Sequence, residues 1–255
     1  MATILFEQQG HRCVAFSDLV RGEDGIQANQ FLIQHDGHSA LLDPGGQLLY
    51  NPLILALGAY MQPTGLTWLL CSHQDPDIIG SVDKWLLYSK ATVVCSRLWG
   101  RFVPHLVPHY MANAGSDRYL LLPDEGGQVP MGDACIRALP AHFMHSVGNF
   151  SFYDPTSRIL FSGDIGSSMI PSSTPYAFVS DFGAHVPSMV GFHRRYMASN
   201  RVARLWVQMV RDIQPAMIVP QHGLPMRGET ADRFLDWLAA LECGVDLLGP
   251  ANYKV

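Results

Sequence analysis

Short apolar runs alternate with turn residues along most of the chain and set out an order of strands and helices. Gln30 to Gln34 and Ser39 to Leu42 read as a hairpin turned at Asp36-Gly37. Pro52 to Met61 reads as a helix with proline in its first turn. Leu66 to Cys71 is a buried strand, Ile78 to Tyr88 a helix and Ala91 to Cys95 the next strand, which makes a strand-helix-strand unit. Tyr119 to Leu122, Cys135 to Leu139, Phe150 to Tyr153 and Ile159 to Phe161 continue as strands. The period then changes. Val202, Leu205, Trp206, Met209, Val210 and Ile213 share one face of an amphipathic helix. Met217 to Val219 is a short strand stopped by Pro220, and Phe234, Trp237, Leu238 and Leu241 mark a last helix. Strands and helices followed by strands and helices again predict two packed sheets with helices on both outer faces. Gly126-Gly127 with Pro130 and Gly132 is the best candidate boundary, but strands resume at once, so residues 1–255 are expected to form a single domain.

Composition narrows the class. Hydrophobic residues make up 48% of the 255, enough for a sizeable core and against disorder. Seventeen basic residues without a cluster leave no nucleic-acid footprint, and the net charge of −5 is mild. The five cysteines are scattered without a CxxC pair, which fits a reduced cytoplasmic protein better than a disulfide scaffold. The start, Met1 to Arg12, has no signal-peptide pattern, and Leu53 to Met61 is far too short for a membrane span. A cytoplasmic protein without membrane contact is the expectation.

Candidate chemistry gathers where apolar runs end. His73, Asp75 and Asp77 alternate directly after a strand, and alternate side chains of an extended loop point the same way. Asp77 is also placed to cap the helix that follows. A polar loop with a helix cap and a stray histidine would look the same. Three later segments repeat the placement: His145 after Cys135 to Leu139, Asp164 between Gly163 and Ile165-Gly166, and His222 after Met217 to Pro220. Four such segments in this order point to a metal centre built from His73, Asp75, Asp77, His145, Asp164 and His222. Three carboxylates and three imidazoles, without cysteine, favour iron or manganese over zinc.

The order HxDxD (73–77), HSxGN (145–149), SGDIG (162–166) and PxHG (220–223) resembles the metallo-β-lactamase superfamily, from about Gln27 to His222, including the turn Leu42-Asp43-Pro44-Gly45. The implied fold is α/β (α+β), a four-layer αββα sandwich. Asp75, where zinc hydrolases of the superfamily usually have histidine, is similar to the carboxylate of flavodiiron proteins. The run His145 to Asp154 followed by Ile159 to Gly166, and the segment Arg194 to Ala198, resemble that branch too. The resemblance implies one metal on His73, Asp75 and His145, a second on Asp77 and His222, and Asp164 between them. Ile78 stands where the superfamily pattern has another histidine, which leaves the second metal poorer in ligands and gives it an open position.

The function implied is that of stand-alone di-iron proteins linked to sensing. Two iron ions (Fe2+/Fe3+), bridged by Asp164 and an oxygen species, would bind or slowly reduce O2, or NO in its place. Zinc or manganese is the alternative, and no FMN is expected because no flavin-phosphate loop is visible. A separate signalling or redox protein is the implied partner, and a homodimer follows by analogy with flavodiiron proteins. The competing reading is a zinc hydrolase of esters, lactones or phosphodiesters. A third is a binding module whose metals only hold the fold. His142, three residues before His145, is the rival for its place as ligand; the Ser-x-Gly-Asn after His145 favours His145, which makes His142 a cleft residue able to steer protons, and Tyr176 and His185 belong near the metal mouth with His193. His105 and His109, on either side of Pro108, read as ordinary surface or core histidines, and the same plain reading is open to His185 and His193.

Overall fold

The computed structural model describes residues 1–20, 26–106, 118–171 and 174–254. His109 and Pro108 lie outside them; His105 is exposed. Seven strands form the first sheet in chain order: β1 (Ala2–Gln8), β2 (His11–Phe16), β3 (Gln30–His35), β4 (His38–Leu42), β5 (Trp68–Leu70), β6 (Thr92–Ser96) and β7 (Tyr119–Leu122). Pairing is antiparallel from β1 to β4 and parallel from β4 to β7. Asp36 and Gly37 both have positive φ at the β3–β4 turn, as a two-residue hairpin of this twist requires. The second sheet has the order β13-β12-β11-β10-β9-β8, built from β8 (Gly127–Met131), β9 (Ala134–Pro140), β10 (Phe150–Asp154), β11 (Ile159–Gly163), β12 (Met217–Pro220) and β13 (Met226–Arg227).

Three apolar clusters define four layers. One lies between the sheets, where Phe31, Leu70 and Val94 of the first meet Phe152, Phe161 and Val219 of the second. A second packs the outer face of the first sheet against α1 (Tyr50–Leu57), α2 (Pro76–Ile79) and α3 (Val82–Tyr88), with Leu53, Ile78, Val82 and Trp85 at its centre. The third packs α4 (Phe182–Tyr196), α5 (Asn200–Ile213) and α6 (Glu229–Ala240) on the second sheet, around Met189, Trp206 and Phe234. This is the αββα sandwich that the motif order implies.

Several local expectations are corrected. The helix expected over 78–88 is two helices broken at Gly80-Ser81. The glycine-rich stretch near 126–132 is the edge strand β8, where Pro130 is tolerated because an edge residue need not donate to a ladder. Leu205 is exposed, and Ala203, Trp206, Val207 and Val210 form the buried face of α5. The first hairpin, β1–β2, and helix α4 carry no strong period and emerge only in three dimensions. Among the described residues no helix is long and apolar enough to cross a membrane.

Candidate metal centre

The six predicted donors come together where strand ends of both sheets meet. His73, Asp75 and Asp77 follow β5, His145 lies between β9 and β10, Asp164 follows β11 and His222 follows β12. Backbone bonds tie these loops to one another. Phe150 N–H donates to Ser72 O (3.0 Å), Gln221 N–H to Gly163 O (2.8 Å) and Ser168 N–H to His222 O (3.1 Å). Gly223, at φ +91°, lies so close to Ser168 that a Cβ there would stand 1.8 Å from Ser168 Oγ. The N-cap of α2 is Asp75, not Asp77, but its side chain makes no capping bond and turns to His145 instead.

Two donor sets share Asp164. His145 Nε2 lies 2.8 Å from Asp75 Oδ2, and His73 Nε2 lies 3.7 Å from the same oxygen. Asp164 Oδ2 faces this set, 3.6 Å from His145 Nε2 and 3.8 Å from His73 Nε2. Its other oxygen, Oδ1, lies 3.6 Å from His222 Nε2, which is 3.2 Å from Asp77 Oδ2. His73, Asp164 and His222 are buried, yet His73 Nε2 and Asp164 Oδ1 have no hydrogen-bond partner. Buried polar atoms are rarely left so, and two cations between the sets would satisfy them.

The ring orientations suit that occupant. Ser72 Oγ donates to Asp43 Oδ2 (3.1 Å) and so accepts from Nδ1–H of His73 (2.9 Å), which leaves Nε2 for a metal. His222 Nδ1–H donates to Gln27 O (2.7 Å), with the same result. Asn29 Nδ2 binds Pro220 O (3.1 Å) and Gly223 O (2.9 Å) and pins the loop that carries His222. The His145 ring is held by packing: Phe192 and Tyr196 of α4 lie 5.6 and 5.3 Å from its centroid. His145 itself sits at φ +78°, a conformation non-glycine residues seldom adopt, and Asn149 Nδ2 supports its loop through Met144 O (2.7 Å).

Charge follows the geometry. Burial lowers the pKa of His222, but the bond to Asp77 and the charge of Asp164 outweigh it and push it up to about 9. His73 is raised in the same way: burial opposes, and Asp75 and Asp164 prevail. The bonds from His145 and His73 hold Asp75 well below the carboxylate range. Burial pushes Asp43 up to about 6. The carboxylates that favour a proton on His222 would favour a cation there in the same way, and metal binding would displace that proton.

The neighbours expected from sequence fall unevenly. His142 turns away: its Nε2 contacts Asp124 O (2.7 Å) and its ring packs on Phe150, while His145 takes the place beside Asp75. The Ile78 side chain is fully buried in the outer core of the first sheet and offers no donor. The Tyr176 hydroxyl is buried without a partner, in a cavity shared with Gln27, Asn29 and Gly223. Burial lowers the pKa of His185, whose Nε2 also has no partner. His193 is a core histidine with both ring nitrogens satisfied: Gly166 N–H, two residues past Asp164, donates to its Nε2 (2.9 Å) while its Nδ1–H donates to Met189 O (2.9 Å). Asp43, Ser72, Gln27, Asn29, Phe192 and Tyr196 were not anticipated as supports. Asp43 alone left a trace in the sequence, its Asp-Pro-Gly turn.

Known proteins share this architecture. The chain is similar to the structure described as the peroxy diiron species of the chemotaxis sensor ODP, at 37% identity and a TM-score of 0.84 over 96% of this chain and 97% of that one. It is equally similar to the apo state of the chemotaxis sensor ODP from T. denticola, at 37% identity and a TM-score of 0.86 over 97% of each chain. Rubredoxin oxygen:oxidoreductase of Desulfovibrio gigas shares the fold, with 14% identity and a TM-score of 0.77 over 93% of this chain and 61% of that one. An uncharacterised protein of Methanocaldococcus jannaschii is 23% identical over 216 residues, 84% of this chain and 53% of that protein, so the chain spans about half the length of this relative. The family model described as ODP family beta lactamase matches residues 26–223, a span that begins beside Gln27 and ends just past His222. Carrying the whole donor set inside that match, and sharing its fold with rubredoxin oxygen:oxidoreductase, the chain belongs to the ODP family of beta lactamases.

Proposed function

We propose that this chain is a non-haem di-iron protein that binds O2, with a role in sensing rather than rapid turnover. The observation that carries the reading is Asp164, which turns one oxygen to His73 and His145 and the other to His222. A carboxylate so placed between two donor sets suits a pair of ions. His73, Asp75 and His145 would hold one, Asp77 and His222 the other. Iron in this hard, carboxylate-rich set would supply the electrons that O2 takes up.

The residues of the chain do the rest. Ser72 and Gln27 fix the imidazole tautomers, which leaves Nε2 of His73 and of His222 free for the ions they would hold. Phe192 and Tyr196 stand over His145 and keep apolar surface beside it. The second set has three protein donors, counting Asp164, and Ile78 adds none, which would leave an ion there a coordination position for an exogenous ligand. The sensor role is supported by similarity to a chemotaxis sensor, and a signalling protein is the partner it would need.

Protein loaded with ferrous iron under anaerobic conditions should hold about two ions per chain and develop a new visible absorption band on exposure to air. An unchanged spectrum with iron bound would refute O2 binding. Zinc retained in place of iron would return the hydrolase reading.

A further inference from the structure

A second cluster of metal-type donors lies at the other end of the sandwich. β10 starts at Phe150, bonded to Ser72 beside the centre, and ends at Asp154. Here His11 and Cys13, alternate residues on one face of β2, meet Asp154 across the gap between the sheets. All three are buried. His11 Nε2 lies 2.7 Å from Asp154 Oδ2, Cys13 Sγ 3.4 Å from the same oxygen, and Cys13 Sγ 3.5 Å from His11 Nε2.

We propose that His11, Cys13 and Asp154 form a separate site for a thiophilic divalent cation of the zinc class. Around a tetrahedral ion with usual bond lengths, sulfur would stand about 3.5 Å from nitrogen and from oxygen, with nitrogen and oxygen about 3.3 Å apart. The two sulfur distances already match, and the third needs to open by about half an ångström. A thiolate and a carboxylate balance a double positive charge, and an exogenous ligand completes the tetrahedron.

Hydrogen-bond accounting points the same way. Asp154 Oδ2 is approached by His11 Nε2, the Cys13 thiol, Ser157 N–H and the Ser157 hydroxyl, four donors on one oxygen. A cation would replace two of these protons. Beyond His11, its Nδ1 faces His35 Nδ1 at 3.1 Å, and His35 Nε2 lies 2.6 Å from Asp133 Oδ1. With a metal on His11 Nε2, the ring becomes an Nδ1–H donor to His35 Nδ1, and His35 Nε2–H is left to donate to Asp133, so every contact in the chain has one donor and one acceptor. Metal binding displaces the thiol proton of Cys13. His11 and His35 also line a surface pocket with Glu7, Gly10, Arg12 and His38, so the cluster lies beneath that opening with His11 between them.

Cobalt(II) chloride added to the full chain with its six-donor centre already metal-filled tests this. That centre has no sulfur donor, so a thiolate-to-cobalt charge-transfer band, growing to one equivalent, is the expected result. C13S should abolish the band, and C135S, which removes a half-exposed thiol, should leave it. His35→Leu, which breaks the outer support, should weaken cobalt binding about tenfold. Absence of the band at saturating cobalt in the unaltered protein, or its survival in C13S, overturns the proposal. Should C13S fail to fold, His11→Gln replaces it, and unchanged cobalt affinity in that variant is equally fatal.

Discussion

The imidazole of His222 donates its Nδ1 proton to the backbone carbonyl of Gln27, 2.7 Å away, so its Nε2 faces Asp77 and Asp164. A ring fixed by a main-chain atom keeps its orientation whichever side chain occupies position 27. His222→Ala should therefore cost the second ion and spare the first, with iron falling from about two to about one per chain. His145→Ala should remove the other ion, and elemental analysis of the two variants separates the sets.

Asp164→Asn keeps the shape of the bridge and removes its charge. Two ions would then share four positive charges with two carboxylates in place of three. Retention of both ions should fail, and with it the air-induced band. Full iron content in this variant would mean that Asp164 does not bridge.

Ile78→His tests whether position 78 could return a ligand. The side chain is fully buried among Leu53, Leu69 and Trp85, so an imidazole there loses packing and strands a polar ring. A loss of about 2–4 kcal/mol in urea unfolding is expected, with no gain in metal content.

His193 gives the protein a defined acid sensitivity. Burial holds its pKa down to about 4, against about 6.5 in an unfolded chain. Between those values the unfolded state binds more protons, so stability rises with pH. The contribution, on the order of 3 kcal/mol, is complete above pH about 6.5 and lost as pH falls towards 4. His193→Phe should flatten this part of the urea stability profile and cost about 1–3 kcal/mol at neutral pH, because Gly166 N–H loses its acceptor.

Gly223→Ala should destabilise the chain by at least about 1–2 kcal/mol, since the left-handed backbone and Ser168 both oppose a Cβ. A thermal melt of the metal-free protein isolates this effect from ligand loss.

What could be read beforehand had a period or a motif. His73, Asp75 and Asp77 were legible as donors crowded directly after a strand, although Asp77 stands in the first turn of α2 and not in an extended loop. The two-sheet order was legible because each apolar run had turn residues at its ends. Helix α4 was not, because Pro187 and two glycines interrupt its stripe. Leu205 was assigned inward because residues three and four apart fit two neighbouring faces, and only packing chooses between them. Gln27 and Asn29 carry no motif; one acts through a carbonyl that any residue possesses, and the other reaches loops nearly two hundred positions away.

Helix α4 touches the centre twice. Phe192 and Tyr196 rest on His145, and His193, between them in sequence, grips the turn after Asp164. A shift in either ligand on metal binding would press on the same few turns. Those turns end at Arg194 and Arg195, which are exposed, so both ligand contacts and a basic stretch of surface lie on one helix.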